Sequence, residues 1–168
     1  RSGLRAAAEM AQLRNILRAY LLDDPAPARS LERLDAAMSR VLPGTIATAI
    51  CAVLDTATAT VHLSHAGHMP ALVGGEGTAE FVVVKPDLLL GVSPGPRREH
   101  VIQLGRGQVL VLYSDGLVER RNRPIDDGLA LLRDVVADAT GAVVPDGALA
   151  TWIAERMRTD AHEDDVSV

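Results

Sequence analysis

From Leu4 to Leu22 the apolar positions Met10, Leu13, Leu17, Tyr20 and Leu21 recur at the period of an amphipathic helix, and Asp23-Asp24-Pro25 ends the pattern. A second helix is predicted from about Pro27, a residue tolerated in a first helical turn. It carries Leu31, Leu34, Met38, Val41 and Leu42 until Pro43-Gly44 stops it. The pair predicts a helical hairpin lying on something flat. Thr45 to Leu54 supplies that partner, being rich in β-branched and small apolar residues on both alternating faces, as a buried strand requires. Asp55-Thr56-Ala57-Thr58 reads as a turn, and Thr58 to Ser64 alternates in the manner of a returning hairpin strand. Further short strands are expected at Ala71 to Val73, Glu80 to Val84, Glu99 to Leu104 and Gln108 to Tyr113.

After Gly116 the period changes again. Leu129, Leu132, Val135 and Val136 mark one helix face, a further helix is expected from about Asp146 to Arg158, and a last strand from Asp165. Hairpin-linked strands between two groups of helices argue for an α/β (α+β) layered sandwich with mainly antiparallel sheets. The 168 residues fit a single domain spanning 1–168. The sequence starts at Arg1 without a Met and stops at Val168 within a strand pattern, so the domain reads as truncated at both ends.

Composition removes several classes of function. Aromatics are only 2% and the formal charge is -5, so neither a base-stacking platform nor a basic stripe is available and nucleic acid is not an expected partner. Cys51 is the only cysteine and sits in an apolar run, which rules out an internal disulfide and reads as a buried structural thiol. No apolar stretch approaches the ~20 residues that span a bilayer, and the Arg1 end lacks a signal-peptide pattern. A soluble, cytoplasmic chain without membrane insertion is expected.

Three local features carry candidate chemistry. Gln108 to Gly116 is an apolar strand that ends in an acid followed by glycine, which suits a metal ligand, Asp115, held on a rigid support. Read locally, a plain turn at Ser114-Asp115-Gly116 is the stronger alternative. His162-Glu163-Asp164-Asp165 precedes a β-type run; an acid starting one strand can lie beside an acid ending its antiparallel neighbour, so Asp115 and Asp164 can converge across 49 positions. Hard oxygen donors of this kind suit Mg²⁺ or Mn²⁺, while a solvated acidic loop is the plainer alternative. Ser64-His65-Ala66-Gly67-His68 places two imidazoles about a tight turn, but without a third ligand nearby it reads as shape rather than as a zinc site. Gly105-Arg106-Gly107 precedes a strand and is too short to cradle phosphate, and Ser93 and Ser114 lack a nucleophile elbow.

Taken together, the chain resembles the SpoIIE-like branch of the PPM (type 2C) protein phosphatases, which includes RsbU-type regulators of bacterial sigma factors. The resemblance rests on Gly3 to Met10, Ser64 to Ala71, Leu90-Gly91-Val92, Gly107 to Glu119 and Glu163 to Ser167, which occur in the family order. It implies an αββα sandwich around a two-metal Mn²⁺ or Mg²⁺ centre. Asp115 and Asp164 correspond to family ligands, with Asp165 in the neighbouring position. The family's Gly-Asp-Val motif is represented only by its tail, around Ser2-Gly3-Leu4, so the bridging acid and the amino-terminal strands are missing from these residues. The implied activity is metal-dependent hydrolysis of phosphoserine or phosphothreonine on a regulatory protein, with a STAS-type anti-anti-sigma factor as the implied substrate. The resemblance also allows an upstream sensory domain and a homodimer. The competing expectation is a catalytically degenerate module that binds a regulatory partner through the same fold; a small-molecule phosphomonoesterase is a more distant one.

Overall fold

A computed structural model describes residues 2–85, 87–120, 123–142 and 144–163. The chain forms two compact units, each assembled from two segments: Arg1–His68 with Val84–Gln103, and Met69–Val83 with Leu104–Val168.

In the first unit, α1 (Ser2–Asp23) packs on α2 (Pro27–Val41), and α2 lies on a sheet of β1 (Ala49–Asp55), β2 (Thr60–Ala66) and a third strand, β5 (His100–Gln103). The strand order is β1-β2-β5, antiparallel throughout, with Asp55 opposite Thr60 and Leu63 opposite His100. The expected hairpin of helices therefore exists, and its second member packs on the flat partner. Leu31, Leu34 and Met38 form its buried stripe and pack with Cys51 and Ala66 of the sheet and Leu13 of α1. Each such side chain contributes about 1.5–3 kcal/mol on burial. The Cys51 thiol is buried as expected, and burial, reinforced by the charge of Glu99, pushes its pKa up to about 11. The β1–β2 turn is closed by Asp55, whose Oδ1 accepts the Ala57 N–H at 2.9 Å. Strand β1 begins later than the sequence pattern suggests, at Ala49. Before it, Ala47 exchanges backbone hydrogen bonds with Leu90 and not with a ladder neighbour.

The loop from Asp87 to Arg98 is held by a polar clamp that the hydrophobic pattern does not announce. Asp35 of α2 is fully buried and its Oδ2 receives Arg97 Nη2 at 2.6 Å, while its Oδ1 accepts the Gly91 N–H at 2.7 Å. One turn earlier, Glu32 accepts the Arg97 backbone N–H at 2.7 Å, and Arg97 Nη1 donates to the Leu88 carbonyl at 2.6 Å. Gly91 has φ +82°, and a Cβ there would overlap the Thr45 carbonyl oxygen, so only glycine allows the close approach.

The second unit holds β3 (Leu72–Gly75), β4 (Thr78–Phe81) and β6 (Val109–Val111) in the antiparallel order β4-β3-β6. Glu76 and Gly77, both at positive φ (52° and 76°), make the two-residue hairpin turn whose twist matches the flanking strands. The unit's helices are α3 (Asp115–Val118), α4 (Ile125–Gly141) and α5 (Leu149–Glu163), the last entered through a short 3₁₀ turn at Asp146–Ala148. Helix α4 packs on β3 and β4, and Leu132, Val136, Ala139, Ile153 and Met157 join Leu72 and Tyr113 in one core. Helix α5 runs on to Glu163, past the expected end near Arg158, so the backbone of His162 and Glu163 is helical. The strand expected from Asp165 lies outside the described residues. Among the described residues no helix is long and apolar enough to cross a membrane.

Two tests follow from the first unit. Asp35→Leu alone strands a buried guanidinium and should cost about 3–5 kcal/mol in urea denaturation, whereas Asp35→Leu with Arg97→Met should recover most of that loss. His65, buried in β2, has its pKa lowered below 6.5 by desolvation, with His100 and His68 adding to the effect and Asp87 opposing it. The unfolded chain therefore binds the proton more readily, and stability present above pH 6.5 is lost as pH falls towards the lower folded-state value. Thermal melts across this range should show the decline, and His65→Gln should flatten it.

Candidate metal centre

Asp115 owes its position to the residues on either side of it. Strand β6 stops at Val111, opposite Leu72, the first residue of β3, and the carbonyl of the preceding Ala71 accepts the Val82 N–H. The chain then runs through Leu112 and buries Tyr113 in the core, where desolvation raises the phenol pKa to about 12. Ser114 is the N-cap of α3, and Asp115 is its first residue, an exposed one. The expectation of an acid at the strand terminus thus needs correction. Asp115 stands four residues beyond the ladder, supported by a buried tyrosine before it and by Val118, fully buried, after it.

The four-residue helix shapes the surroundings. Its last turn closes with the Glu119 N–H donating to the Asp115 carbonyl at 2.7 Å, and the Leu117 N–H donates to Ser114 at 3.0 Å. Asp115 Oδ1 accepts the Gly116 N–H at 2.8 Å, and Oδ2 has no protein partner among the described residues. Spacing of four along a helical turn puts Glu119 on the same side as Asp115. Asp115, Gly116, Glu119 and Arg120 line an open hollow of about 290 Å³. Glu119 and Arg120 were not singled out from sequence, although the i, i+4 relation of two acids was visible there. Helix α3 is seated on α4 at Gly128, where a Cβ would overlap the Val118 carbonyl oxygen.

The carboxylates of Asp115 and Glu119 are hard oxygen donors of the type that Mg²⁺ and Mn²⁺ take. Among the described residues no three or more His, Cys, Asp or Glu side chains are grouped to hold a metal ion. Asp164 and Asp165, the partners expected for Asp115, lie outside the described residues. His65 and His68 belong to the first unit. There His65 ends up inside β2, Gly67 turns the chain at φ +60°, and His68 Nδ1 lies 3.1 Å from Thr48 Oγ1. A Cβ at Gly67 would approach Leu89 Cγ to 2.8 Å, which supports the reading of this motif as shape.

With this geometry in hand, comparison with known proteins identifies the family. Residues 2–168 match the family described as Stage II sporulation protein E (SpoIIE), and the chain belongs to it. The structure of the RsbU and RsbW domains of Rv1364c from Mycobacterium tuberculosis is similar at TM-score 0.84 and 27% identity, covering 93% of this chain and 44% of that one. The PP2C phosphatase domain of SpoIIE from Bacillus subtilis, solved with a fragment of its regulatory domain, gives TM-score 0.73 at 18% identity over 92% of this chain and 46% of that one. The fold is therefore that of the PP2C phosphatases, mixed helix and antiparallel sheet as expected, and the chain spans less than half the length of these two relatives.

Gly128→Ala tests how Asp115 is supported. A methyl group driven against the Val118 carbonyl should cost about 1–3 kcal/mol by overpacking, lower the melting temperature and speed amide exchange across Ser114 to Glu119.

Proposed function

We propose that this chain forms part of a metal-dependent serine/threonine protein phosphatase acting on a regulatory phosphoprotein in bacterial sigma-factor signalling. The observation that carries the reading is the exposed Asp115 carboxylate. One of its oxygens is fixed by Gly116 and the other has no protein partner among the described residues, at the position that the Tyr113-Ser114-Asp115-Gly116 resemblance matches to a family ligand. Asp164, with Asp165 beside it, is the second ligand in this reading.

The overall reaction adds water across the phosphate ester: the P–O bond to the serine or threonine breaks, leaving the free hydroxyl and inorganic phosphate. When bound, Mn²⁺ or Mg²⁺ supplies an activated water and stabilises charge on the phosphoryl group. The task of this chain is placement. Asp115 offers an oxygen on a backbone clamped by Tyr113 and Val118, and Glu119 adds negative charge to the same hollow. A manganese-soaked crystal of the Bacillus subtilis SpoIIE phosphatase domain supports manganese as the first cation to try. A STAS-type anti-anti-sigma protein is the proposed substrate, by likeness to the RsbU branch, and a cytoplasmic location goes with it.

The test uses the full-length protein. Asp115→Asn should lower Mn²⁺-dependent turnover of a phosphoserine peptide by more than the ~100-fold that loss of an outer-shell partner costs. Unchanged turnover would overturn the assignment of Asp115. Calorimetric titration showing no divalent cation bound at all would favour the degenerate, partner-binding module.

A further inference from the structure

Away from Asp115, in the first unit, the loop from Lys85 to Arg98 surrounds an open hollow of about 480 Å³, within the range of small-ligand sites. Its lining holds three cationic side chains, Lys85, Arg97 and Arg98, against one carboxylate, Asp87. Lys85, the only lysine in the chain, is exposed and meets no carboxylate at ion-pair distance among the described residues. Arg98 gives Nη1 to Asp87 at 2.6 Å but keeps a half-exposed guanidinium, so its remaining donors face solvent. Arg97 is the decisive residue. Its side chain is only 3% exposed, with Nη1 on the Leu88 carbonyl and Nη2 on Asp35, yet its Nε–H is buried with no partner among the described residues. A buried guanidinium N–H without an acceptor is costly, and such a group points to an absent acceptor oxygen.

We propose that this hollow is an oxyanion site of the phosphate class, with the Arg97 Nε–H, the Lys85 ammonium, the Ser93 hydroxyl and the outer Arg98 donors as its ligands. A tetrahedral dianion offers several acceptors at once, which suits donors arriving from different points of one loop. The rim of Pro94, Gly95 and Pro96 carries no aromatic ring on which a base would stack, so the chemistry favours a bare phosphoryl group over a nucleotide. The donors are organised beforehand. Asp35 and Glu32 hold Gly91 and Arg97 from α2, so little ordering is required when the anion arrives. Two sources share this chemistry: the phosphorylated side chain of a protein, and free inorganic phosphate. Only the choice of source rests on the phosphatase reading above.

The only lysine of this chain gives a direct readout in the full-length protein without metal or turnover. Reductive methylation of Lys85, followed by peptide mass spectrometry, should be slowed by inorganic phosphate and by a phosphoserine tripeptide. Chloride at equal ionic strength and the unphosphorylated tripeptide should leave it unchanged. Arg98→Ala should raise the half-protecting phosphate concentration about tenfold, the scale of one partly screened charge. Ser93→Ala, which removes no charge and breaks no side-chain hydrogen bond among the described residues, should raise it by a smaller factor, and Asp115→Asn should not alter it. Stronger protection by the phosphopeptide identifies a docking phosphoprotein; equal protection identifies the free ion. Methylation of Lys85 at one rate with and without phosphate would overturn the site, and it would do so whether or not Asp115 proves necessary for turnover.

Discussion

The first unit depends on a carboxylate placed where its helix should be apolar. Asp35 falls in the stripe of Leu31, Leu34 and Met38, and burying a lone charge there would cost several kcal/mol. The cost is met because both oxygens are used: Oδ2 takes the Arg97 guanidinium and Oδ1 takes the Gly91 N–H. A buried pair of this kind is a poor source of net stability. What it provides here is definition. A loop with exposed Leu88 and Val92 and two prolines has little apolar surface to bury, yet it is fixed at Gly91 and at Arg97 to one face of α2. An apolar residue at position 35 would fill the same space and leave the loop without those two anchors.

The second unit solves a comparable problem by backbone proximity. Asp115 is exposed and sits on a helix of four residues, too short to hold itself in water. Its rigidity is borrowed from Tyr113 and Val118, which are buried on either side, and from Gly128, which lets α4 approach α3 to backbone contact. A carboxylate that must keep an oxygen free cannot be held by hydrogen bonds to that oxygen. Support from neighbours in the core is the arrangement consistent with a ligand role.

Elements marked by periodicity were legible in the sequence, and those defined by partners were not. Helix α2, the β1–β2 hairpin and α4 follow from their apolar spacing, because burial of one face is a local property of the pattern. Strand β6 was read too long, since Leu112 and Tyr113 are as apolar as the strand itself, whereas the ladder ends opposite Leu72, the first residue of β3. The end of α5 differs from the sequence expectation for the opposite reason: acids after Arg158 resemble a loop, although charged residues also solvate a helix face. The Asp35–Arg97 pair joins residues 62 positions apart. Its one sequence signal, an acid inside an apolar stripe, shows that a partner is needed without showing which. Asp115 was found because strand-acid-glycine is a local pattern; Glu119 needed the unexpected turn of helix to bring it alongside.

Charge gives the two candidate sites a common logic. The chain carries 22 acidic residues against 17 basic ones, so an approaching phosphoryl group meets a net repulsive field at distances beyond a Debye length of roughly 8–10 Å. At shorter range only local charge counts, and the two hollows differ sharply in it. The one at Asp115 and Glu119 is anionic apart from Arg120, and in that state attracts a cation rather than a phosphate ester. An anionic hollow of this kind repels a phosphate ester for as long as its carboxylates are uncompensated. The hollow at Lys85, Arg97 and Arg98 has an excess of cationic side chains over its one lining carboxylate, Asp87, although Arg98 is paired with Asp87 and Arg97 with Asp35. The proposed phosphate site of that loop thus draws on the protein's own cationic side chains, whereas the hollow at Asp115 offers chiefly carboxylates.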